Sequence, residues 1–286
     1  MNGVGEAVAR RLWRTIEPLH AVTYFAEECR QAHADAGLRG FWMGYFAGRA
    51  APLGPVGPGA VTATFFGFHP DRVRRALPDA WAFATPDAVV VERREAAGRV
   101  LRGLVTDADA LARRWGPVLG EVVATADGGG RALFAANRDL PVPPDPVEAL
   151  WQACTCLREQ RGDGHVAVLV SEGLDGCEAN VLAAAVKGIP DEVIRESRGW
   201  SPEEWEAARR RLARRRLFDA DGALGDDGVD LHRHIEHRTD ALAGRAYESL
   251  GEQPTAALLD ALGPAARAAA AVIRFPNPMG LPPPPS

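Results

Sequence analysis

The chain has 286 residues, 47% of them apolar, and a formal charge of −5, enough material for two domains that each bury a core. Its mild acidity argues against a protein that wraps polyanions through charge alone, and no apolar run approaches the roughly 18 residues of a membrane span. The charged, amphipathic start from Met1 to Leu12 lacks the apolar core of a signal segment, so the expectation is a cytoplasmic protein without membrane contact, as monomer or homodimer.

In chain order, Glu6 to Ala34 reads as a helix that Pro18 either kinks or restarts, with Leu12, Ile16, Leu19 and Tyr24 on its apolar face. Gly40 to Leu53 is an apolar helix, whose Gly44, Ala47, Gly48 and Ala51 would let another backbone approach closely. A glycine and proline loop at 54–59 precedes short helices at 60–67 and 70–76. Longer helices follow from Thr85 to about Leu104 and from Asp107 to Ala124. Arg131 to Leu140 reads as extended, and Pro141 to Pro146, with four prolines in six positions, as a linker.

Beyond the linker come a helix from Pro146 to Gln160, a turn at Arg161 to Gly164, and a helix from His165. Further helices are expected over 175–186, 191–197 and 202–216, then strand, glycine turn and strand over 217–224, and a helix over 228–243. The end of the chain reads as one more helix and a tail from Phe275, with six prolines in twelve positions. The division expected is 1–140 for a first, degenerate winged-helix-like repeat, 141–146 for the linker, 147–250 for a second repeat, and 251–286 for a helix and tail.

The halves are related. Gly44 to Arg75 laid over Gly164 to Arg195 without a gap gives eight identities in 32 positions, among them Gly44 with Gly164, Pro70 with Pro190 and Arg75 with Arg195. A matched pair of helix starts follows, Thr85-Pro86-Asp87 and Ser201-Pro202-Glu203, each with a cap residue, a proline in the first turn and an acid at the positive helix end. Helices, a long helix, a hairpin and a final helix, in that order, predict a mainly α fold of tandem duplicated winged-helix domains with small β-hairpin wings. The first copy lacks a turn dipeptide at Gly98 to Val105, so its hairpin is expected to be missing or eroded.

The second half resembles a multiple-antibiotic-resistance-regulator (MarR) winged helix. Across the chain, Glu17-Pro18-Leu19-His20, the run Gly44 to Gly54, Ala76 to Trp81, Leu157-Arg158 with Arg161 to His165, and Asn277 to Pro282 resemble an actinobacterial helix-turn-helix, or SalK-like, family. The resemblance implies the tandem fold.

Several residues have pocket chemistry. His20 and Tyr24 sit four apart on one helix face with Glu17 a turn earlier, an acid, an imidazole and a phenol able to move a proton. His20 is also a candidate ligand for a transition metal or haem iron, against the plainer reading of a core histidine satisfied by Glu17 and a backbone carbonyl. Arg49, inside an apolar run, needs a carboxylate: a ligand's, or else Glu17 or Asp163. In Arg161-Gly162-Asp163-Gly164-His165, Asp163 is expected to cap the next helix and His165 to stay neutral in its positive first turn. His165 aligns with Tyr45 in the repeat, so the two are expected to face one cleft.

His232, His234 and His237 suggest a metal less than a solvated helix face, and Trp200 and Trp205 read as packing anchors. Cys29, Cys154, Cys156 and Cys177 contain no Cys-x-x-Cys and read as reduced thiols.

For DNA, the candidate recognition helix opens with Glu203, Glu204 and Glu206, and the wing carries Asp219, Asp221, Asp226 and Asp227, seven carboxylates where phosphates would lie. Arg209, Arg210 and Arg214 occupy later turns. The first copy's helix start, Asp87 to Val91, reads as buried. The sequence therefore favours a small molecule or cofactor held between the halves, with catalysis open, His20 and His165 as base or ligand, Tyr24 as acid or donor, and Glu17, Tyr45, Arg49, Arg161 and Asp163 as binding groups. The alternative is a MarR-like DNA-binding regulator reading DNA through Arg209, Arg210 and Arg214.

Overall fold

The computed structural model describes residues 5–219, 221–281 and 283, which form helices and no sheet. Helix α1 (Glu6–Phe25) buries Leu12, Ile16, Leu19 and Val22, a stripe at helical spacing, and carries Pro18 inside it. The break comes at Ala26, whose extended ψ of 137° separates α1 from α2 (Glu27–Asp35). Then follow α3 (Gly40–Ala50), α4 (Pro58–Phe65), α5 (Pro70–Arg74), α6 (Pro86–Leu104), α7 (Ala108–Thr125) and α8 (Ala132–Arg138). The remainder is α9 (Pro146–Ser171), α10 (Gly176–Lys187), α11 (Asp191–Arg198), α12 (Pro202–Arg214), α13 (Asp226–Gly244) and α14 (Glu252–Ala269).

The helix starts follow their caps. Thr85 accepts from Ala88 N at the head of α6, and Ser201 with Glu204 forms a reciprocal capping box at the head of α12. Arg161 to His165, expected to be a turn, lies inside the uninterrupted α9. The reason is tertiary: Asp163 accepts from Phe134 N at 2.9 Å, capping the neighbouring α8 instead of its own helix. Gly164, meanwhile, faces Leu242 of α13, where an added Cβ would stand 3.7 Å from Leu242 Cβ. The Asp163 cap on Phe134 N falls in the first turn of α8, so Arg131 to Leu140, expected to be extended, holds a helix.

Four apolar clusters organise the molecule, the smallest joining Ala21 and Tyr24 of α1 to Ile273 and Leu281. One joins α1, α6, α7, α14 and the first half of α9 around the fully buried Trp151. A second gathers α3, α4, α5 and the start of α6, and a third gathers the end of α9 with α10 to α13, so each of the two aligned segments sits in its own core. The second copy's hairpin is reduced to one antiparallel bridge, Phe218 with Leu224; Ala220 between them lies outside the described residues. In the first copy 98–104 is the end of α6 and carries no hairpin.

The two aligned segments meet at the loop after α4. Gly67 O accepts from Asn180 Nδ2 at 2.7 Å and from Trp200 Nε1 at 3.0 Å, while His69 N donates to Arg198 O at 2.9 Å. Gly176 makes this approach possible, because a Cβ there would stand 2.1 Å from Phe66 O. Gly44 and Gly48 also serve a close approach, but to a side chain rather than a backbone: the imidazole of His33 lies across them, 3.0–3.1 Å from any added Cβ.

Candidate functional site

A cavity of about 230 Å³ opens between the two aligned segments. Glu17 on α1, Tyr45 and Arg49 on α3, and Arg161 and His165 on α9 all line it, so Tyr45 and His165 do face one cleft. His20 and Asp163 do not line it, and Tyr24 stands behind Tyr45 with ring centroids 5.0 Å apart. The sequence reasoning missed Arg158, Lys187, Arg198 and Glu236, which complete the walls.

Arg49 pairs neither with Glu17 nor with Asp163. Its Nε and one terminal nitrogen donate to the two oxygens of Glu159 at 2.8 and 2.9 Å, a bidentate fork, and the guanidinium lies 4.2 Å from the Phe65 ring centre. Arg158 donates to Glu17 at 3.2 Å and to Glu159 at 2.8 Å, and Trp13 Nε1 holds the other Glu17 oxygen at 2.8 Å. Burial alone would raise the Glu159 pKa, but Arg158 and Arg49 overcome it and hold the carboxylate well below its usual range. Arg161 donates to Glu236 and Asp240, each at 3.0 Å, and Arg10 contacts the same two carboxylates.

Those two sets balance: Arg49 and Arg158 against Glu17 and Glu159, Arg161 and Arg10 against Glu236 and Asp240. Arg198 and Lys187 are left over. Arg198 donates to Pro278 O at 2.9 Å, stacks 4.4 Å from the Phe68 ring centre, and keeps its Nε shut off from solvent without a partner. Lys187 donates to Gly280 O at 3.3 Å. Both carbonyls belong to a strap, Asn277 to Leu281, folded on the buried Asn277 side chain, which accepts from Met279 N and Leu281 N and donates to Leu281 O. A carbonyl dipole neutralises no charge, so this wall of the pocket carries two surplus positive charges.

The hydroxyl partners settle both histidine tautomers. Thr239 spends its proton on Ile235 O at 2.7 Å, so His165 Nδ1–H must donate to Thr239 Oγ1 at 2.9 Å. His165 Nε2 thus keeps its lone pair, with no hydrogen-bond donor among the described residues. Burial lowers the ring's pKa to about 4, so the neutrality expected from a helix start comes instead from desolvation.

His20 repeats the pattern. Thr155 donates to Trp151 O at 3.0 Å, His20 Nδ1–H donates to Thr155 Oγ1 at 3.0 Å, and Nε2 accepts from the Tyr24 hydroxyl at 3.1 Å. Both His20 nitrogens are therefore occupied, which leaves none for a metal or haem iron, and the Tyr24 proton is spent on His20. Neither Glu17 nor a backbone carbonyl satisfies the ring.

No group of three or more His, Cys, Asp or Glu side chains is arranged for a metal among the described residues. His234 goes to Glu172 at 3.4 Å and His237 to Glu6 at 2.7 Å. All four cysteines are free and buried, and Trp205 is buried in the core of the second copy.

On the candidate recognition helix, the first turn abuts the other copy: Glu204 contacts His69 Nε2 at 3.0 Å. Arg209 is engaged by Asp191 and Gly222 O, whereas Arg210 and Arg214 are exposed. The matching helix start of the first aligned segment is only partly buried, because Asp87, Ala88 and Val91 are exposed while Val89 is buried and Val90 half-buried against the second cluster. No helix of the described residues is long and apolar enough to cross a membrane.

A family model described as a helix-turn-helix family matches residues 9–276. No curated protein and no solved structure gives a match.

Proposed function

As the chain belongs to the helix-turn-helix family, we propose that it is a tandem winged-helix protein whose two halves, the first ending near residue 140, hold a small molecule in the cavity between them. The observation that carries this reading is the convergence of Tyr45 and Arg49 from one copy with Arg161 and His165 from the other on one cavity. A protein that used its halves only as a scaffold would gain nothing from a polar, arginine-rich void where they meet. Tyr45, Arg49, Arg161 and Glu17 shape and charge this site, His165 offers an acceptor, and His20 with Tyr24 braces the wall behind Tyr45. Catalysis, if the site performs any, would fall to His165 as base.

Blocking the cavity tests the reading. Ala183 of α10 lines it, and Ala183→Trp fills it. Small fragments of mixed charge are expected to raise the melting temperature of the wild type, and those shifts to vanish in Ala183→Trp while its circular dichroism stays unchanged. Fragments that stabilise both proteins equally, or none that stabilise the wild type, would remove the proposal.

The helix-turn-helix family supports a second reading, a DNA-binding regulator; that it is MarR-like and senses the ligand is part of the proposal. The seat of α12 against His69 obstructs the first turn, so contact would run through the exposed Arg210 and Arg214 on its later turns. Retardation of duplex DNA that weakens with salt and is reduced about tenfold or more by Arg210→Ala with Arg214→Ala is the expected result for a regulator. Absence of any retardation at low salt would eliminate it.

A further inference from the structure

The two surplus cations and the unspent imidazole nitrogen define what the cavity would take. We propose that its ligand is a small organic carboxylate bearing a hydroxyl or N–H group, with the carboxylate set between Arg198 and Lys187 and the donor hydrogen-bonded to His165 Nε2. This rests on the reading of the cavity as a ligand site and adds the ligand's class.

The surplus charge is local. Each of the other three arginines lining the cavity, Arg49, Arg158 and Arg161, already has its carboxylate, so an anion drawn there gains most from the two cations that do not. Arg198 presents a planar fork, fixed from behind by the Phe68 ring, which suits a carboxylate; Lys187 adds a point charge from α10. A neutral amide of the same shape would leave both charges uncompensated.

The donor argument is independent of charge. With Nδ1–H committed to Thr239, His165 can only accept through Nε2, and a ligand lacking O–H or N–H leaves that lone pair unmet. Val166, Leu169 and Ala183, which also line the cavity, supply apolar surface for the rest of the molecule. A volume of about 230 Å³ lies below the range typical of drug-sized ligands, so the fit is to a one-ring or short-chain acid.

The strap explains how such a ligand would be held. Gly280, at φ 63°, lets the chain close over Lys187, since a Cβ there would meet Nζ at 2.8 Å. An incoming carboxylate would exchange the two dipole contacts of Arg198 and Lys187, to Pro278 O and Gly280 O, for two charge-assisted ones.

Mandelate, mandelamide and phenylacetate, titrated calorimetrically into the full chain at pH 7.5, separate the terms. Mandelate is expected to bind at least about tenfold more tightly than mandelamide, a gap that Arg198→Gln closes and the more exposed Lys187→Gln narrows. Phenylacetate, lacking the hydroxyl, is expected to bind severalfold more weakly than mandelate to the wild type and equally to His165→Phe. Mandelamide binding as tightly as mandelate, or a preference that survives both cation substitutions, would overturn the proposal. If no carboxylate binds but neutral fragments still stabilise the wild type and not Ala183→Trp, the ligand class is wrong and the cavity reading stands. If nothing of either charge binds, both fall.

Discussion

Glu159→Gln is expected to lower the unfolding free energy by about 3–5 kcal/mol, read from urea denaturation midpoints at constant slope. Glu159 is only 1% exposed, and it answers two arginines at once, Arg49 through both oxygens and Arg158 through one. Glutamine keeps the shape and one acceptor but removes the charge, so both guanidiniums stay in a desolvated site with Glu17 as the remaining carboxylate between them. The loss comes mainly from stranded charge and not from a missing hydrogen bond, which gives a second, sharper expectation. Adding Arg49→Met to Glu159→Gln removes one stranded cation, and the double variant should be less destabilised than the sum of the singles, by roughly 0.5–3 kcal/mol. A single-variant loss below about 1 kcal/mol, or strict additivity, would show that the network is hydrated and does not depend on Glu159.

What the sequence disclosed of this site followed the physics of each signal. Helix starts at Thr85 and Ser201 were legible because a cap, a proline and an acid act within four residues. The cleft was legible because the alignment of the two copies related Tyr45 to His165, and both do line one cavity. Arg161 to His165 misled because two glycines and an aspartate signal a turn only when the aspartate caps its own backbone. Here Asp163 found Phe134 N on another helix, and local pattern holds no trace of a partner 29 residues away. Arg49 announced its need for a carboxylate but not which one, since Glu159 looks like any acid in an amphipathic helix. Lys187 and Arg198 were invisible for a related reason: a surplus charge is defined by the partners it lacks, and those are counted only in three dimensions. The strap residues Asn277 to Leu281 stood out as a motif, yet their task depends on α10 and α11, which they reach across about 80 residues or more of chain.

Acidification should destabilise the fold well above the range where carboxylates normally titrate. His20, His33 and His165 all have pKa values lowered from the ordinary 6.5, chiefly by burial, the last two to about 4. A group lowered in the folded state favours folding fully above its unfolded pKa, and that contribution drains away as pH falls from about 6.5 toward the folded value. His33 alone is worth about 3 kcal/mol on this basis by pH 4, since its ring is packed on Gly44 and Gly48 with Nδ1 unpartnered and no acid to receive the new charge. Protonating His20 would turn Nε2 into a donor facing the Tyr24 hydroxyl that now donates to it, in a site already containing Arg158. Asp163 opposes the trend. Burial pushes its carboxyl up to about 6, so the folded state takes up a proton before the unfolded chain does and gains stability as pH drops from about 6 to 4. Three lowered imidazoles outweigh one raised carboxyl, and the net expectation is a fall in the urea midpoint between pH 6.5 and 4.5. Asp163→Asn, which keeps an acceptor for Phe134 N but removes the compensating titration, should steepen that fall. A midpoint that stays level across this window in the wild type would mean that these rings are hydrated in solution, and an unchanged slope in Asp163→Asn would mean that burial does not raise the Asp163 carboxyl.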